Sequence, residues 1–263
     1  MEKMSVLITR PKAQGEELAR FLVEGLEKGR LAKERLEAEI LFQPAIEILP
    51  PEDDYAAVDE NLRNLERFDW CVFSSVNGVE AFVRRFENAR LERSACRVKM
   101  AAIGAGTQKA LEDAGWGVDF VPEVFRAEYL ALGLVGEAKR KASFWLLRAS
   151  RGREVLAEIL EQNGAHVSQT IAYRSVDVTR ESSVWDAKIL EKMERGEILW
   201  TTITSSAIAR ATVGLFGEAL LKTRLVSISP LTSEELERHG FSPYAEAREA
   251  TMEGVAQAIL SRL

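Results

Sequence analysis

Short apolar runs alternate with stretches of helical periodicity along the chain. The helical stretches carry apolar residues at every third or fourth position, as in Leu18, Leu22 and Leu26, which is typical of an amphipathic helix. The apolar runs have the length of buried strands and cover residues 5–10, 70–73, 97–103, 144–147, 198–203 and 225–228. The helices predicted after them include residues 107–114, 151–163, 205–216, 232–239 and 251–263. This alternation predicts an α/β fold with parallel sheets.

Two long β-rich segments, 39–49 and 167–178, interrupt this alternation because no helices of their own bracket them. We interpret them as a pair of extended linkers that cross between two lobes. The alternative, in which both segments are ordinary strands of a sheet, stays open at this point.

The chain also contains an internal repeat, which constrains its architecture. Residues 72–76 match residues 202–206, and residues 102–107 match residues 227–232 at a constant offset of 125 (227 minus 102). The segment that opens the chain, residues 8–10, matches residues 146–148 at an offset of 138 (146 minus 8).

The order of the repeated segments predicts that one lobe is discontinuous. We expect residues 1–38 and 180–263 to form lobe 1, and residues 50–166 to form lobe 2, inserted into it. Residues 39–49 and 167–179 are then the two linker strands. Two similar lobes joined in this way enclose a cleft, and open α/β sheets bind ligands at the carboxyl ends of their strands.

Composition and charge exclude several classes of protein. The 263 residues include 35 Lys plus Arg and 41 Asp plus Glu, a formal net charge of −6, whereas a general nucleic-acid binder has a basic surface. No apolar run in the sequence approaches the ~18 residues that span a bilayer, and the first residues do not resemble a signal peptide. We therefore expect a cytoplasmic protein that binds neither nucleic acid nor membrane.

The sequence gives little support to metal or nucleotide chemistry. The two cysteines and the two histidines have neither disulfide nor metal-ligand spacing, so we expect no His- or Cys-based metal centre. The Gly104-Ala105-Gly106 turn has only part of a dinucleotide-binding pattern, because Lys109 stands where a third glycine belongs. A nucleotide-dependent α/β enzyme is thus a disfavoured alternative.

Small hydroxyl residues are common where the predicted strands lead into helices. A Ser or Thr there can cap a helix, which is the simplest structural role for any one of them. Together, such turns leave backbone N–H groups and helix N-termini exposed, and these bind anions. Arginines at equivalent places of the repeat add two guanidinium groups that suit a carboxylate or phosphate. The hydroxyl residues are Thr9, Ser74, Ser75, Ser150, Thr204, Ser205, Ser206, Ser229 and Thr232, and the arginines are Arg10 and Arg148.

Tyr173 is the candidate for acid chemistry. It lies in the second expected linker, within Thr170-Ile171-Ala172-Tyr173-Arg174-Ser175, which should line the cleft. A phenol can donate a proton to a departing oxygen. A tyrosine that simply packs on the linker is the alternative.

Several motifs, taken in order, resemble the uroporphyrinogen-III synthase family over nearly the whole chain. Their spacing carries the resemblance more than any one motif does. They are ITRP at 8–11, PAIEI at 44–48, FSSVNGV at 73–79, IGAGT at 103–107, AYRS at 172–175, TSS at 204–206, and the ending at 247–255. The chain departs from the family at Ser229, where a glycine is usual before the proline, and at Glu234, where a small residue is usual.

The resemblance implies a fold and an activity. It implies two α/β lobes joined by a two-stranded linker, with the active site between them and with no metal or organic cofactor. It implies a hydro-lyase of porphyrin and heme biosynthesis that closes hydroxymethylbilane into uroporphyrinogen III, inverting the last pyrrole ring and losing water. The partner is thus a linear tetrapyrrole with eight carboxylates, and transient contact with the preceding pathway enzyme is a further expectation.

For the site, the resemblance points to Tyr173 as the general acid. The expected substrate-binding residues share a position at strand-to-helix turns or strand ends. They are Arg10, Ser74, Ser75, Asn77, Gly104, Thr107, Arg148, Thr204, Ser205, Ser206, Ser229 and Thr232. A noncatalytic two-lobed module that binds a tetrapyrrole or a small anion is the alternative function.

Overall fold

The computed structural model describes residues 3–28 and 37–263. The chain divides into two compact units. The discontinuous unit comprises Met1–Glu47 and Val176–Leu263, and the inserted unit comprises Ile48–Ser175. Part of the first segment expected in lobe 1, residues 1–2 and 29–36, lies outside the described residues.

The helices and strands alternate along most of the described chain. The strands are β1 (Lys3–Ile8), β2 (Glu37–Phe42), β3 (Ile46–Leu49), β4 (Trp70–Phe73), β5 (Lys99–Ala102), β6 (Ser143–Ala149), β7 (His166–Asp177), β8 (Trp200–Ile203), β9 (Arg224–Ser227) and β10 (Ala245–Glu246). The α-helices are α1 (Lys12–Lys28), α2 (Ala56–Arg63), α3 (Val76–Asn88), α4 (Ala105–Asp113), α5 (Ala127–Ala138), α6 (Val155–Gln162), α7 (Ala187–Glu194), α8 (Ser206–Phe216), α9 (Pro230–Arg238) and α10 (Met252–Leu260).

Each unit is built on one five-stranded sheet. The discontinuous unit has the order β10-β9-β8-β1-β2, and the inserted unit has the order β3-β7-β6-β4-β5. The pairs β1–β2, β1–β8, β8–β9 and β9–β10 are parallel, as are β4–β5, β4–β6 and β6–β7. The predicted α/β fold is therefore confirmed, with sheets that are mainly parallel.

The strand orders agree with the predicted repeat. Strands β5, β4, β6 and β7 follow one another in the inserted unit as β9, β8, β1 and β2 do in the discontinuous unit. The register agrees as well: Trp70 lies opposite Phe144 as Trp200 lies opposite Val6. A bridge from Ala101 to Phe120 takes the place of the β9–β10 pair Val226–Ala245, at the same offset of 125.

Continuous apolar runs explain the central strands, because helices cover both faces of a parallel sheet. All four residues of β4 are buried, and so are all four of β8. Helices α4 and α9 end before Gly115 and Gly240, which have φ of 79° and 83°. Glycine adopts this left-handed conformation at little cost, so both helices stop at the same place of the repeat.

The two segments expected to be linkers belong mostly to the sheets. Residues 37–42 form β2, residues 46–49 form β3, and residues 166–177 form β7. The chain nevertheless passes from one unit to the other inside both segments, between Glu47 and Ile48 and between Ser175 and Val176, so the linker interpretation stays a prediction. Tyr173 lies on β7 and packs in the core of the inserted unit. The alternation of strands and helices is interrupted here because β3 follows β2 without an intervening helix and β7 is one long strand.

Some helix boundaries also differ from the prediction. Thr107 and Thr232 were expected to open helices, but both are buried inside one, and the N-caps are Gly104 and Ser229. Helices α2, α5 and α7 were not predicted. Helix α5 carries apolar residues on most sides and two glycines, so it gives no periodic stripe.

Candidate functional site at the carboxyl ends of the strands

The carboxyl ends of β4, β5 and β6 meet at one edge of the inserted unit, because these strands are parallel neighbours. Helix α3 begins at this edge with Ser75 as its N-cap, and Ser75 Oγ accepts a hydrogen bond from Gly78 N at 3.2 Å. Helix α4 begins beside it after Gly104. The edge thus combines two helix N-termini with the half-buried residues Ser74 and Asn77.

Tyr173 reaches this edge from β7. Its hydroxyl donates a hydrogen bond to Ser75 Oγ at 2.9 Å, and only 8% of the residue is exposed. Burial raises the pKa of Tyr173, and hydrogen bonds with the side chains of Ser75 and Asn77 offset only part of that rise. The phenol therefore stays neutral near pH 7 and holds a proton that it can donate.

Gly104 lies against an aromatic ring. A methyl group on its Cα would stand 2.8 Å from Cγ of Phe125, so no larger residue fits while the ring keeps its place. Phe125 itself is 43% exposed. Phe125 is absent from the residues that the sequence singles out, and it stands two residues before α5, the helix whose pattern is not periodic.

Arg148 is engaged within its own unit. Its guanidinium pairs with the Glu154 carboxylate and also donates to Gln169 Oε1 at 2.8 Å and to the Gly152 carbonyl at 3.2 Å. The hydrogen bond from Arg148 lowers the pKa of Glu154. These contacts order the turn after β6, which supports a structural role alongside the predicted binding role.

The discontinuous unit has an equivalent edge at the ends of β1, β8 and β9. Ser205 caps α8 and accepts from Ile208 N at 3.1 Å, while Ser206 Oγ donates to the Leu231 carbonyl at 3.2 Å. Ser229, at the start of α9, lies 3.2 Å from the hydroxyl of buried Thr232. These hydroxyls therefore organise the turns as well as lining them.

Three further predicted residues lie at this second edge. Thr9 is buried, and its hydroxyl donates to the Thr202 carbonyl at 2.6 Å. The hydroxyl of Thr204 is buried without a hydrogen-bond partner among the described residues. Arg10 donates to Met252 Sδ at 2.9 Å and to Gln14 Oε1 at 3.2 Å, which places its guanidinium at the start of α10.

The structure thus collects the predicted substrate-binding residues and Tyr173 into two groups, each within its own unit. The group of the inserted unit comprises Ser74, Ser75, Asn77, Gly104, Thr107, Arg148 and Tyr173. The group of the discontinuous unit comprises Arg10, Thr204, Ser205, Ser206, Ser229 and Thr232. Within the described part of the chain, no three His, Cys, Asp or Glu residues come together as a metal site would require.

An open cavity of about 750 Å³ lies at the opposite edge of the inserted unit, where β4 and β5 begin at Trp70 and Lys99. Its charged lining is mixed in sign and partly paired, because Glu137 contacts both Lys99 and Arg140. This cavity is away from the predicted binding turns, and no residue of the candidate site lines it.

The protein belongs to a class of α/β proteins made of two related units with mainly parallel sheets, one inserted into the other in the sequence. The strand order, the repeat and the polar residues at the carboxyl ends of the strands in both units define this class. Among the helices that the structure describes, none has the length and apolar character that crossing a membrane requires. The chain belongs to the uroporphyrinogen-III synthase family, because the family model described as "Uroporphyrinogen-III synthase HemD" matches residues 12–257.

Individual relatives agree with this family. The chain is 25% identical over 260 residues to the porphyrin biosynthesis protein HemD of Ruminiclostridium josui, covering 97% of this chain but 48% of that protein, so it spans about half of its length. It is 26% identical to the uroporphyrinogen-III synthase of Synechococcus elongatus, covering 84% and 85%. A crystal structure of a mutant uroporphyrinogen III synthase from Thermus thermophilus has the same fold, with a TM-score of 0.63, 16% identity and 97% coverage of both chains.

Proposed function

We propose that this chain is a uroporphyrinogen-III synthase that closes hydroxymethylbilane into uroporphyrinogen III. The observation that carries the proposal is the family match over residues 12–257. The geometry supports it, because the carboxyl edge of each unit offers helix N-termini and hydroxyl groups that suit a polycarboxylate.

The reaction needs little covalent help from the protein. Protonation of the terminal hydroxyl of hydroxymethylbilane releases water and leaves a cationic azafulvene. Because the last ring is inverted in the product, its original bond to the chain must also break. The substituted α-carbon of that ring attacks the azafulvene to give a spirocyclic cation, and the older C–C bond at that carbon then cleaves to leave an azafulvenium on the neighbouring ring. The free α-carbon of the turned ring forms the closing C–C bond and loses a proton, so atoms and charge balance. The protein's part is to hold the curled chain so that the first bond forms at the substituted carbon of the last ring rather than at its free carbon, which is catalysis by orientation, and to assist departure of water.

Tyr173 and Ser75 are the proposed source of that proton. Ser75 Oγ accepts from Tyr173 and from Gly78 N, so its own O–H remains to donate outwards. A proton delivered by Ser75 to the leaving hydroxyl is replaced from Tyr173. The raised pKa of Tyr173 agrees with a group that starts protonated and is reprotonated after each turnover.

The substrate carboxylates are proposed to bind backbone N–H groups at turns 74–77, 104–107 and 204–206. Hydroxyls and Asn77 assist, and Arg10 supplies a guanidinium at the second edge. A distributed set of neutral donors suits a protein whose net charge is −6, because helix N-termini attract anions without adding basic side chains. The activity is proposed to need no metal or organic cofactor.

The test is to supply hydroxymethylbilane and resolve the uroporphyrinogen isomers after oxidation to the porphyrins. The proposal predicts type III product formed faster than the spontaneous type I product, with heat-denatured protein as the control. Type I alone, at the spontaneous rate, would contradict the proposal. If the protein then still bound the tetrapyrrole, the result would favour a noncatalytic binding module.

A further inference from the structure

Phe125 is an exposed aromatic side chain held at the edge that carries Tyr173. It is 43% exposed, and its neighbours Val124 and Tyr129 are 41% and 48% exposed. The segment is anchored, because Glu128 in the first turn of α5 pairs with Arg153 from the turn after β6. A large apolar side chain that is both exposed and fixed in place is suited to binding.

Gly104 holds the ring at the start of α4. Its φ of −176° is ordinary extended backbone, so its conformation does not require glycine. What requires glycine is the ring itself, since a Cβ would stand 2.8 Å from Cγ and 3.1 Å from Cβ of Phe125. The pair therefore brings an aromatic surface directly against the backbone of a proposed anion-binding turn.

The repeat shows that this pair is not a requirement of the fold. At the offset of 125, Gly104 corresponds to Ser229 and Phe125 corresponds to Ala250. Both segments lead into equivalent helices, with Arg126 as the N-cap of α5 and Thr251 as the N-cap of α10. Equivalent segments thus carry the small residues Ser229 and Ala250 in the discontinuous unit, and a glycine and an aromatic residue in the inserted unit.

We propose that Phe125 is a specificity-determining residue that packs against a pyrrole ring while the turn at 104–107 binds that ring's carboxylate side chains. This inference rests on the proposed function. A substrate made of electron-rich rings with carboxylate side chains needs an apolar surface next to hydrogen-bond donors for its carboxylates. Phe125 supplies the apolar surface, and the turn that begins at Gly104 supplies the donors. The edge of an aromatic ring attracts the face of an electron-rich ring.

The test compares Phe125→Ala with Phe125→Tyr, which keeps the ring. Two readouts are measured: steady-state turnover of hydroxymethylbilane, and direct binding of uroporphyrin III, a stable octacarboxylate of four pyrrole rings, by fluorescence. We expect Phe125→Ala to raise KM and Kd about three- to tenfold with kcat nearly unchanged. Phe125→Tyr should stay close to the parent protein. Leu221→Ala, which truncates a side chain 68% exposed in the other unit, is the matched surface control.

Gly104 provides a second, independent variant. Gly104→Ala should weaken binding as much as Phe125→Ala does, because the new methyl group displaces the ring. In the Phe125→Ala background the same change should have little further effect. Unchanged binding in Phe125→Ala, or equal losses in Phe125→Ala and Leu221→Ala, would overturn the inference. A parent protein that makes no type III product would instead overturn the proposed function, while the uroporphyrin titration would still decide the role of Phe125.

Discussion

Ser75 and Ser205 stand at the same place in the two units, and the contrast between them separates shared scaffold from individual chemistry. Each is an N-cap whose hydroxyl accepts from the backbone N–H three residues later, at 3.2 and 3.1 Å. Ser75 also accepts from Tyr173. Both units therefore have the N-cap, and the inserted unit has in addition a hydrogen bond from the phenol of Tyr173 to that cap.

The other equivalent positions diverge in the same way. Arg148 pairs with the Glu154 carboxylate, and the contacts of its counterpart Arg10 include a methionine sulfur and a glutamine. The repeat thus fixes backbone turns while side chains at the edges are free to specialise. We infer that the edge of the inserted unit supplies the general acid and an aromatic surface. The edge of the discontinuous unit supplies hydrogen-bond donors for the substrate carboxylates.

The largest effect is expected for Tyr173→Phe, which removes the hydroxyl and keeps the packed ring. We expect kcat to fall about tenfold to a hundredfold, within or below the usual contribution of a general acid, because the activated hydroxyl also departs unaided. The product should remain type III, since the isomer depends on how the chain is held. Rate and isomer ratio are measured together by quenched assays.

Two results would change the role of Tyr173. A full parental rate would remove the phenol from the chemistry. A shift toward type I product would instead make Tyr173 a positioning residue, because the fold of the bound chain would then depend on it.

A stability difference between the units is expected at Glu235 of α9. Its side chain is 10% exposed, and its carboxylate contacts Arg210 at 3.2 Å, Arg238 at 3.1 Å and His239 at 3.5 Å. Burial opposes ionisation, but the hydrogen bond and charge of Arg210 and the charge of Arg238 prevail, so the pKa of Glu235 is lowered. The equivalent residue of the inserted unit is Ala110.

Because the pKa of Glu235 is lowered in the folded protein, its stabilisation is present above the unfolded-state pKa of about 4.3 and is lost as pH falls through the folded-state value. We expect Glu235→Gln to cost about 1–2 kcal/mol at pH 7, with a smaller difference from the parent below about pH 4. Hydrogen exchange followed by mass spectrometry should locate the loss in 205–240 and spare 75–115.

The exposed neighbour Glu234 is the control for this prediction. It lies 3.9 Å from Arg238 with half of its side chain exposed, so Glu234→Gln should change stability by less than about 0.5 kcal/mol. Equal losses in the two variants, or faster exchange in both units, would contradict a contribution specific to the buried carboxylate.

The smallest effect is expected for Ser74→Ala. If the carboxylates bind a distributed set of backbone N–H groups, one hydroxyl contributes the ~0.5–1.5 kcal/mol of a neutral hydrogen bond. KM should therefore rise only about two- to tenfold, measured with the same assay. Loss of all turnover in a folded Ser74→Ala protein would contradict distributed binding.

The predictable parts of the structure were those with local signals. Continuous buried runs such as 70–73 predicted the central strands, and the three matches of the repeat predicted the equivalence of β4 with β8, of β5 with β9 and of β6 with β1. Helix α5 had no stripe to detect, because its apolar residues lie on most sides. The segment of strand β7 is interpreted as a linker because it is long and β-rich and no helices of its own bracket it. The second crossing between the units, from Ser175 to Val176, falls inside this strand.

The types of residue in the candidate site could be predicted from the sequence, but the contacts between them could not. The hydroxyl turns and Tyr173 could be named from the sequence. The hydrogen bond between Tyr173 and Ser75 joins residues 98 apart, and it depends on how β7 pairs beyond the irregularity after Arg148. The contact between Gly104 and Phe125 is likewise a product of packing, so no spacing rule could have found it.

The matched variants Ser75→Ala and Ser205→Ala test most directly whether the acid chemistry belongs to the inserted unit. Each removes one N-cap hydroxyl, so both should lower thermal stability by similar amounts, about 0.5–2 kcal/mol. Their kcat and KM for hydroxymethylbilane are compared at a temperature where both proteins are folded. The account predicts about a tenfold or larger fall in kcat for Ser75→Ala, and for Ser205→Ala a kcat within about twofold of the parent with a modest rise in KM. Equal losses of kcat in the two variants would contradict it.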